Sequence, residues 1–156
     1  MSVHDDRIKH LEFIQAAINR QATNSFTIKG WSITVSSALY VYTASHLSWW
    51  LAVISVLPAI GFAFLDVYYL RLERLFRHLY DDVARGRNDV PFFSLDIRPY
   101  RDGDRYPYCR RREVWKSPSV YLLYGTTFLV GLALLVVALF QDLSAKEVAQ
   151  CIRDAF

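Results

Sequence analysis

The ionisable residues that border the longest uncharged stretch are Lys29 and Asp66, with 36 residues between them that include no Asp, Glu, Lys or Arg. A charge at the edge of an apolar span is costly alone and tolerable when paired or snorkelling. Lys29 and Asp66 are therefore expected as an ion pair at a membrane interface, with a gating or ion-pathway carboxylate as the sharper alternative and Asp66 paired with Arg71 or a neighbouring subunit as the third. Inside the stretch, Ser32 and Ser36 are four apart, Thr43 is one heptad beyond Ser36, and Ser25 one heptad before Ser32. At 3.6 residues per turn these hydroxyls share one helix face. Such a face suits close helix packing with hydrogen bonds across it, or a water-lined pore in an oligomer. A third group is cationic: Arg105, Arg110, Arg111, Arg112 and Lys116, interleaved with Tyr106, Tyr108 and Trp115. It suits anionic lipid headgroups, at about 1 kcal/mol per charge. It also suits a partner protein, or a nucleotide whose base stacks on the rings; a nucleic-acid partner is disfavoured.

Enzymatic chemistry is not visible. His4, His10, His46 and His78 show no metal-ligand spacing with one another or with Cys109 and Cys151. There is no Gly-rich phosphate loop, nucleophile elbow or HExxH, so neither an enzyme nor a cofactor is expected. Asp102-Gly103-Asp104 lacks the further oxygen ligands of a calcium loop and reads as a turn.

The elements that must position these residues follow from where charge is missing. The chain has 156 residues, 53% of them apolar and 15% aromatic, with a mean hydropathy of +0.14. That composition excludes disorder. A second uncharged stretch of 25 residues lies between Lys116 and Asp142. A bilayer core of about 30 Å takes roughly 20 apolar helical residues. The first stretch is too long for one span and breaks at 43–48. The expected architecture is all-α and integral to a membrane, with transmembrane helices over 30–46, 49–70 and 119–140. The first is the weakest, diluted by Ser32, Thr34, Ser36, Ser37 and Thr43. Pro58 and Gly61 mark an expected kink in the second. Sixteen of the 18 Lys and Arg residues precede the third span and lie outside the 43–48 turn; Lys146 and Arg153 follow it. The positive-inside rule then puts the N-terminus and the 71–118 segment in the cytoplasm and the 141–156 tail outside. No cleaved signal peptide is expected, because the opening residues are acidic rather than basic. Cys109 and Cys151 fall on opposite sides and cannot pair.

Two amphipathic segments extend the first two spans. Residues 5–28 carry Ile8, Leu11, Ile14, Ile18 and Ala22 at helical spacing, and residues 71–86 carry Leu72, Leu75, Phe76, Leu79 and Val83. With a reversal at 47–48, positions whose numbers sum to about 95 lie at equal depth, Lys29 and Asp66 among them. The first two spans thus form a hairpin that continues as a cytoplasmic antiparallel helical stalk. Residues 87–118 form a small irregular loop packed on it, with a short strand expected from the weak alternation over 92–100. The partners expected from this layout are the lipid bilayer, further copies of the chain and a cytoplasmic protein.

Three blocks carry a resemblance. They are Asn24-Ser25-Phe26-x-x-Lys29-Gly30-Trp31-Ser32, then Leu65-Asp66-x-Tyr68-Tyr69-Leu70-x-x-Glu73-Arg74-Leu75-Phe76-Arg77-x-Leu79-Tyr80, then Phe93-Ser94-Leu95-Asp96 with Tyr100, Ser117-Pro118-Ser119 and Tyr124-Gly125. In these the chain resembles a widespread group of small bacterial membrane proteins. Its hairpin architecture also looks like SLATT-type membrane effectors of antiphage systems. The resemblance implies a bacterial inner-membrane location, oligomerisation and membrane damage triggered by a partner. It singles out Lys29, Asp66, Glu73 and Arg77 as positions to test.

Overall fold

The computed structural model describes residues 3–86, 90, 91 and 93–154. The described residues are helical, with no strand among them. Helix α1 spans Val3–His46, α2 Trp49–Ala84, α3 Arg111–Trp115 and α4 Pro118–Asp154. Two 3-10 turns, Arg98–Arg101 and Pro107–Cys109, lie between α2 and α3. Two helices, α2 and α4, are long and apolar enough to cross a membrane. The first expected span is helical too, but its serines and threonines keep α1 outside that class. Met1 and Phe156, to which the expected orientation of the termini refers, lie outside the described residues.

The chain divides into two compact units. Unit 1 comprises Met1–Ile28 and Phe64–Tyr121; unit 2 comprises Lys29–Ala63 and Leu122–Phe156. Helices α1, α2 and α4 each contribute residues to both.

Unit 1 has a largely apolar interior. Ile14, Ile18, Leu75, Phe76, Leu79 and Val83 form one buried cluster, joined by Tyr100 and Cys109 from the 87–118 segment. Side chains of this kind contribute about 1.5–3 kcal/mol each when fully buried. The buried stripe on α2 is the amphipathic stripe of its sequence. On α1 it differs: Ile8 is 43% exposed, while His10, Gln21 and Ser25 are buried. Polar groups can take those places because some find partners there. His10 Nε2 lies 2.8 Å from the Ser94 carbonyl, and the Ser25 hydroxyl donates to Asp66 Oδ1. Arg7 Nε donates to the Val83 carbonyl at 2.9 Å, which satisfies a carbonyl of the last turn of α2. Gly86, with φ +69°, ends that helix, and its amide donates to the same carbonyl at 3.1 Å. These bonds run α1 and α2 antiparallel within unit 1. They join positions summing to 90 and 91, one helical turn from the sum of 95 that a 47–48 reversal implies.

The expected strand over 92–100 is absent among the described residues; Phe92 lies outside them. Phe93 takes a left-handed φ of 58°, and Ser94 N donates to the Pro91 carbonyl. Asp96 Oδ1 accepts from the Arg98 amide at 2.9 Å, and Pro99 sits in the first turn of the 3-10 segment. Local side-chain bonds to the backbone have displaced the extended form.

Unit 2 is composed the other way round. Its buried positions are Ser32, Ser36, Tyr40 and Thr43 on α1, Ala52, Ser55, Ala59 and Ala63 on α2, and Tyr124, Gly131 and Ala138 on α4. No Leu, Ile, Val or Phe is among them. Those residues face outward instead, with Leu57 58%, Leu129 64% and Phe140 69% exposed. The buried positions recur at three- and four-residue steps on α1 and α2 and at sevens on α4, so each helix turns inward one face of small residues, joined on α1 and α4 by a tyrosine. The 47–48 connection lies in this unit, with Leu47 at a positive φ of 30°. Helix α2 runs on through Pro58.

Candidate functional site

The hydroxyl face of α1 lies at the centre of unit 2. Ser32, Ser36 and Thr43 are 1%, 2% and 1% exposed. Thr43 Oγ1 donates to the Leu39 carbonyl at 2.8 Å, and Ser55 Oγ to Ala52 at 2.8 Å. Both are spent on their own helix, the usual local outlet for a hydroxyl in mid-helix. Ser32 Oγ and Ser36 Oγ are buried and make no hydrogen bond. Between them and Thr43 stands Tyr40, whose hydroxyl donates to the Thr127 carbonyl of α4 at 2.8 Å. Four residues beyond Thr127, Gly131 lets the helices close. A Cβ there would fall 2.6 Å from Val56 Cγ2 and 3.0 Å from Tyr40 Oη. The three helices of the unit meet at that glycine. Tyr124 Oη adds a long bond of 3.4 Å to the Phe62 carbonyl.

Ser36 also borders a groove of about 280 Å³ between α1 and α4. Ser37, Tyr40, Thr126 and Thr127 supply its other polar groups, and Ile33, Leu123 and Val130 the remainder.

In unit 1, Asp66 is fully buried and accepts the Ser25 hydroxyl. Lys29 is half-buried in unit 2. Glu73 and Arg77 form an i,i+4 ion pair on α2 at 2.7 Å. The cationic cluster is exposed throughout. Arg110 is bonded to Asp104, Lys116 to Glu113 at 2.7 Å, and Arg105 lies over the Tyr106 ring at 5.8 Å. Arg111 and Arg112 begin α3 with their side chains in solvent. Asp102 Oδ1 accepts the Asp104 amide at 3.0 Å, which makes this segment a turn. Among the described residues, no group of three or more His, Cys, Asp or Glu is placed to hold a metal ion.

Two arginines of α2 to which the sequence reading gave no such role hold the 106–110 segment. Arg71 Nε donates to the Cys109 carbonyl at 2.9 Å and Arg74 Nη1 to Tyr108 at 2.8 Å. They are three apart on α2 and so point the same way, which was the available signal. Burial raises the Cys109 thiol above its ordinary pKa, against the lowering effect of Arg74 and Arg71. Arg98, hydrogen-bonded to Asp96, holds that carboxyl below the usual range. A pocket of about 210 Å³ opens in the same unit, with Asp82, Asp96, Tyr100, Arg105 and Tyr106 in its lining. Tyr100 Oη donates to Asp82 Oδ2 at 3.0 Å across it. Tyr40 and Gly131 were also missed as a pair. Their one trace in the sequence is the small-xxx-small step from Thr127 to Gly131.

No protein-family model matches the chain, and searches of curated proteins and of solved structures found no significant match.

Proposed function

We propose that the chain is a multi-pass protein of the bacterial inner membrane, with unit 2 in the bilayer and unit 1 in the cytoplasm. The observation that carries this reading is the inverted composition of unit 2, with hydroxyls, Ala and Gly inside and Leu, Val and Phe outside. In water such a surface would forgo about 25 cal/mol for every Å² of apolar area left unburied. In lipid the acyl chains solvate it, and association rests on close backbone approach and hydrogen bonds between helices. On this reading α1 is a third span because its hydroxyls face protein; outward it presents Trp31, Ile33, Val41 and Tyr42. The Lys and Arg distribution then orients the N-terminus inward and the C-terminus outward.

Within the membrane the protein acts as a homo-oligomeric effector or channel-like subunit, of the defence type that its hairpin architecture resembles. A cytoplasmic partner or signal engages unit 1 at its exposed arginines. Helix packing in unit 2 then shifts and lets ions leak. A non-conducting anchor is the second reading, favoured by the hydrophobic cluster of unit 1, which suits rigid presentation to a soluble partner. Reporter fusions at both ends should place Met1 inside and Phe156 outside; termini on the same side would refute the three spans. Dye-monitored membrane potential during expression, with and without neighbouring genes, separates effector from anchor. Collapse of the potential supports the effector, and an unchanged potential with a partner still captured supports the anchor.

A further inference from the structure

We propose that Arg111 and Arg112 of α3 form a surface that binds anionic phospholipid headgroups at the cytoplasmic face of the membrane. This rests on the reading that unit 2 lies in lipid. Along the chain five cations stand together; within unit 1 they divide. Arg110 is bonded to Asp104 and Lys116 to Glu113, and Arg105 lies over the Tyr106 ring. Arg111 and Arg112 are exposed, and among the described residues no carboxylate is bonded to either.

Their depth follows from what this segment is tied to on α2. Arg74 holds the Tyr108 carbonyl and Arg71 the Cys109 carbonyl, while the Trp115 ring meets Phe64 edge-on at 5.4 Å between centroids. Val114, fully buried, seats α3. Asp66 is the first charge after the uncharged run. At about 1.5 Å per residue, Arg74 and Arg71 lie about 12 and 8 Å beyond it along α2, and Phe64 about 3 Å before it. A headgroup layer is about 5–7 Å deep on each side of the hydrocarbon. Residues 108–115 therefore cross that layer, with Arg111 and Arg112 between the two ends of the crossing. Phe64 and Tyr68 on α2 and Tyr108 before α3 are exposed at these levels, as rings of an interfacial belt are. A single free phosphate is held by polar groups that converge in a pocket, whereas consecutive helical residues point about 100° apart. Such a pair suits a layer of headgroups. The recess of about 210 Å³ in unit 1 has Arg105 in its lining and neither of these two. Arg101 and Arg105 adjoin Tyr100 and Tyr106, whose rings meet His78, about 18 Å beyond Asp66 along α2, and so remain for a cytoplasmic partner.

An arginine beside an anionic surface gains about fivefold in affinity, and two gain about 25-fold. The test uses the full chain with Trp31→Phe, Trp49→Phe and Trp50→Phe, which leaves Trp115 as its one tryptophan. In phosphatidylcholine vesicles at low salt, brominated phosphatidylglycerol and brominated phosphatidylcholine quench Trp115 according to their occupancy beside α3. We expect phosphatidylglycerol to be preferred about 25-fold. Arg111→Gln with Arg112→Gln should bring the preference close to unity, and Arg111→Lys with Arg112→Lys should retain it. Arg110→Gln and Lys116→Gln, whose charges already face Asp104 and Glu113, should each keep most of it. An unchanged preference in the double Gln variant, or an equal loss in Arg110→Gln or Lys116→Gln, would overturn the proposal. So would loss of the preference to millimolar inorganic phosphate at constant ionic strength, which would mark a free-anion site. If brominated lipid quenches the native chain, with Trp49 and Trp50 in unit 2, but not Trp115, or quenches Trp115 without preference, the headgroup surface is refuted and the membrane reading stands. If it quenches neither chain, the membrane reading falls as well. Should the triple Phe chain lose its melting transition, immobilisation of spin-labelled phosphatidylglycerol against phosphatidylcholine by chains that keep all four tryptophans, with and without Arg111→Gln and Arg112→Gln, decides instead.

Discussion

Replacing Gly131 by Ala tests the closest contact in unit 2. The added methyl would sit 2.6 Å from Val56 Cγ2, 3.0 Å from Tyr40 Oη and 3.4 Å from Tyr40 Cε1. Carbon atoms in contact prefer about 3.5–4.0 Å, so α4 must retreat from α2 by about 1 Å or Val56 must leave its rotamer. Retreat also stretches the Tyr40–Thr127 hydrogen bond of 2.8 Å. Overpacking costs about 1–3 kcal/mol and loss of the bond about 0.5–1.5 kcal/mol, so the expected destabilisation is about 2–4 kcal/mol. Gly125 on the same helix is the control, since a Cβ there meets nothing within 4 Å. Gly125→Ala should be neutral, or stabilising by up to about 1 kcal/mol. Tyr40→Phe isolates the hydrogen bond and should cost only its share, because the Thr127 carbonyl keeps its own helical donor. Adding Val56→Ala to Gly131→Ala removes the struck methyl and should recover much of the loss. The assay is SDS-induced unfolding in mixed micelles, followed by the fluorescence of Trp31, Trp49 and Trp50. Equal stability of the Gly131→Ala and Gly125→Ala variants would refute the three-helix contact, and so would a double variant no better than Gly131→Ala.

At neutral pH the exposed Cys151 should alkylate rapidly and the buried Cys109 slowly until the protein is denatured; equal rates in folded protein would contradict the packing of the loop. Burial raises the Cys109 pKa, so its contribution to stability is present below the ordinary thiol pKa and is lost as pH climbs through the raised value. A stability profile that rises over that alkaline range on account of Cys109, tested against Cys109→Ala, would show the sign to be wrong. Arg71→Ala should free the 106–110 segment and speed Cys109 alkylation at least several-fold, whereas Arg77→Ala, which removes the exposed partner of a largely buried Glu73, should leave that alkylation rate unchanged. Arg7→Ala should lower stability by about 1–2 kcal/mol through the lost charge-assisted bond to the Val83 carbonyl, read as a shift in the unfolding midpoint; no shift would remove its capping role.

Much of the fold is written along the chain because its signals are local. Uncharged stretches, the break at 43–48, the stripe from Leu72 to Val83 and the hydroxyl spacing from Ser32 to Thr43 are each properties of one helix, and a period can be read from one helix. The strand expected near 92–100 failed because a weak alternation was outweighed by Asp96, Ser94 and Pro99, whose short-range bonds and fixed φ favour turns. Other features depend on how one helix is rotated against another, and no single segment encodes that. Burial of His10, Gln21 and Ser25 in place of Ile8, the Ser25 bond to Asp66, and the Arg71 and Arg74 grip on the loop appear only once α1, α2 and the loop are packed together. So does the meeting of Tyr40, Val56 and Gly131, three residues unremarkable in their own segments. The sequence by itself determined which residues repeat on a helix face. The tertiary structure decided which face turns inward, and in unit 2 that was the hydroxylated, mostly small one, because Gly131 without a side chain leaves room for Val56 of α2 and Tyr40 of α1, and Tyr40 then reaches the Thr127 carbonyl of α4.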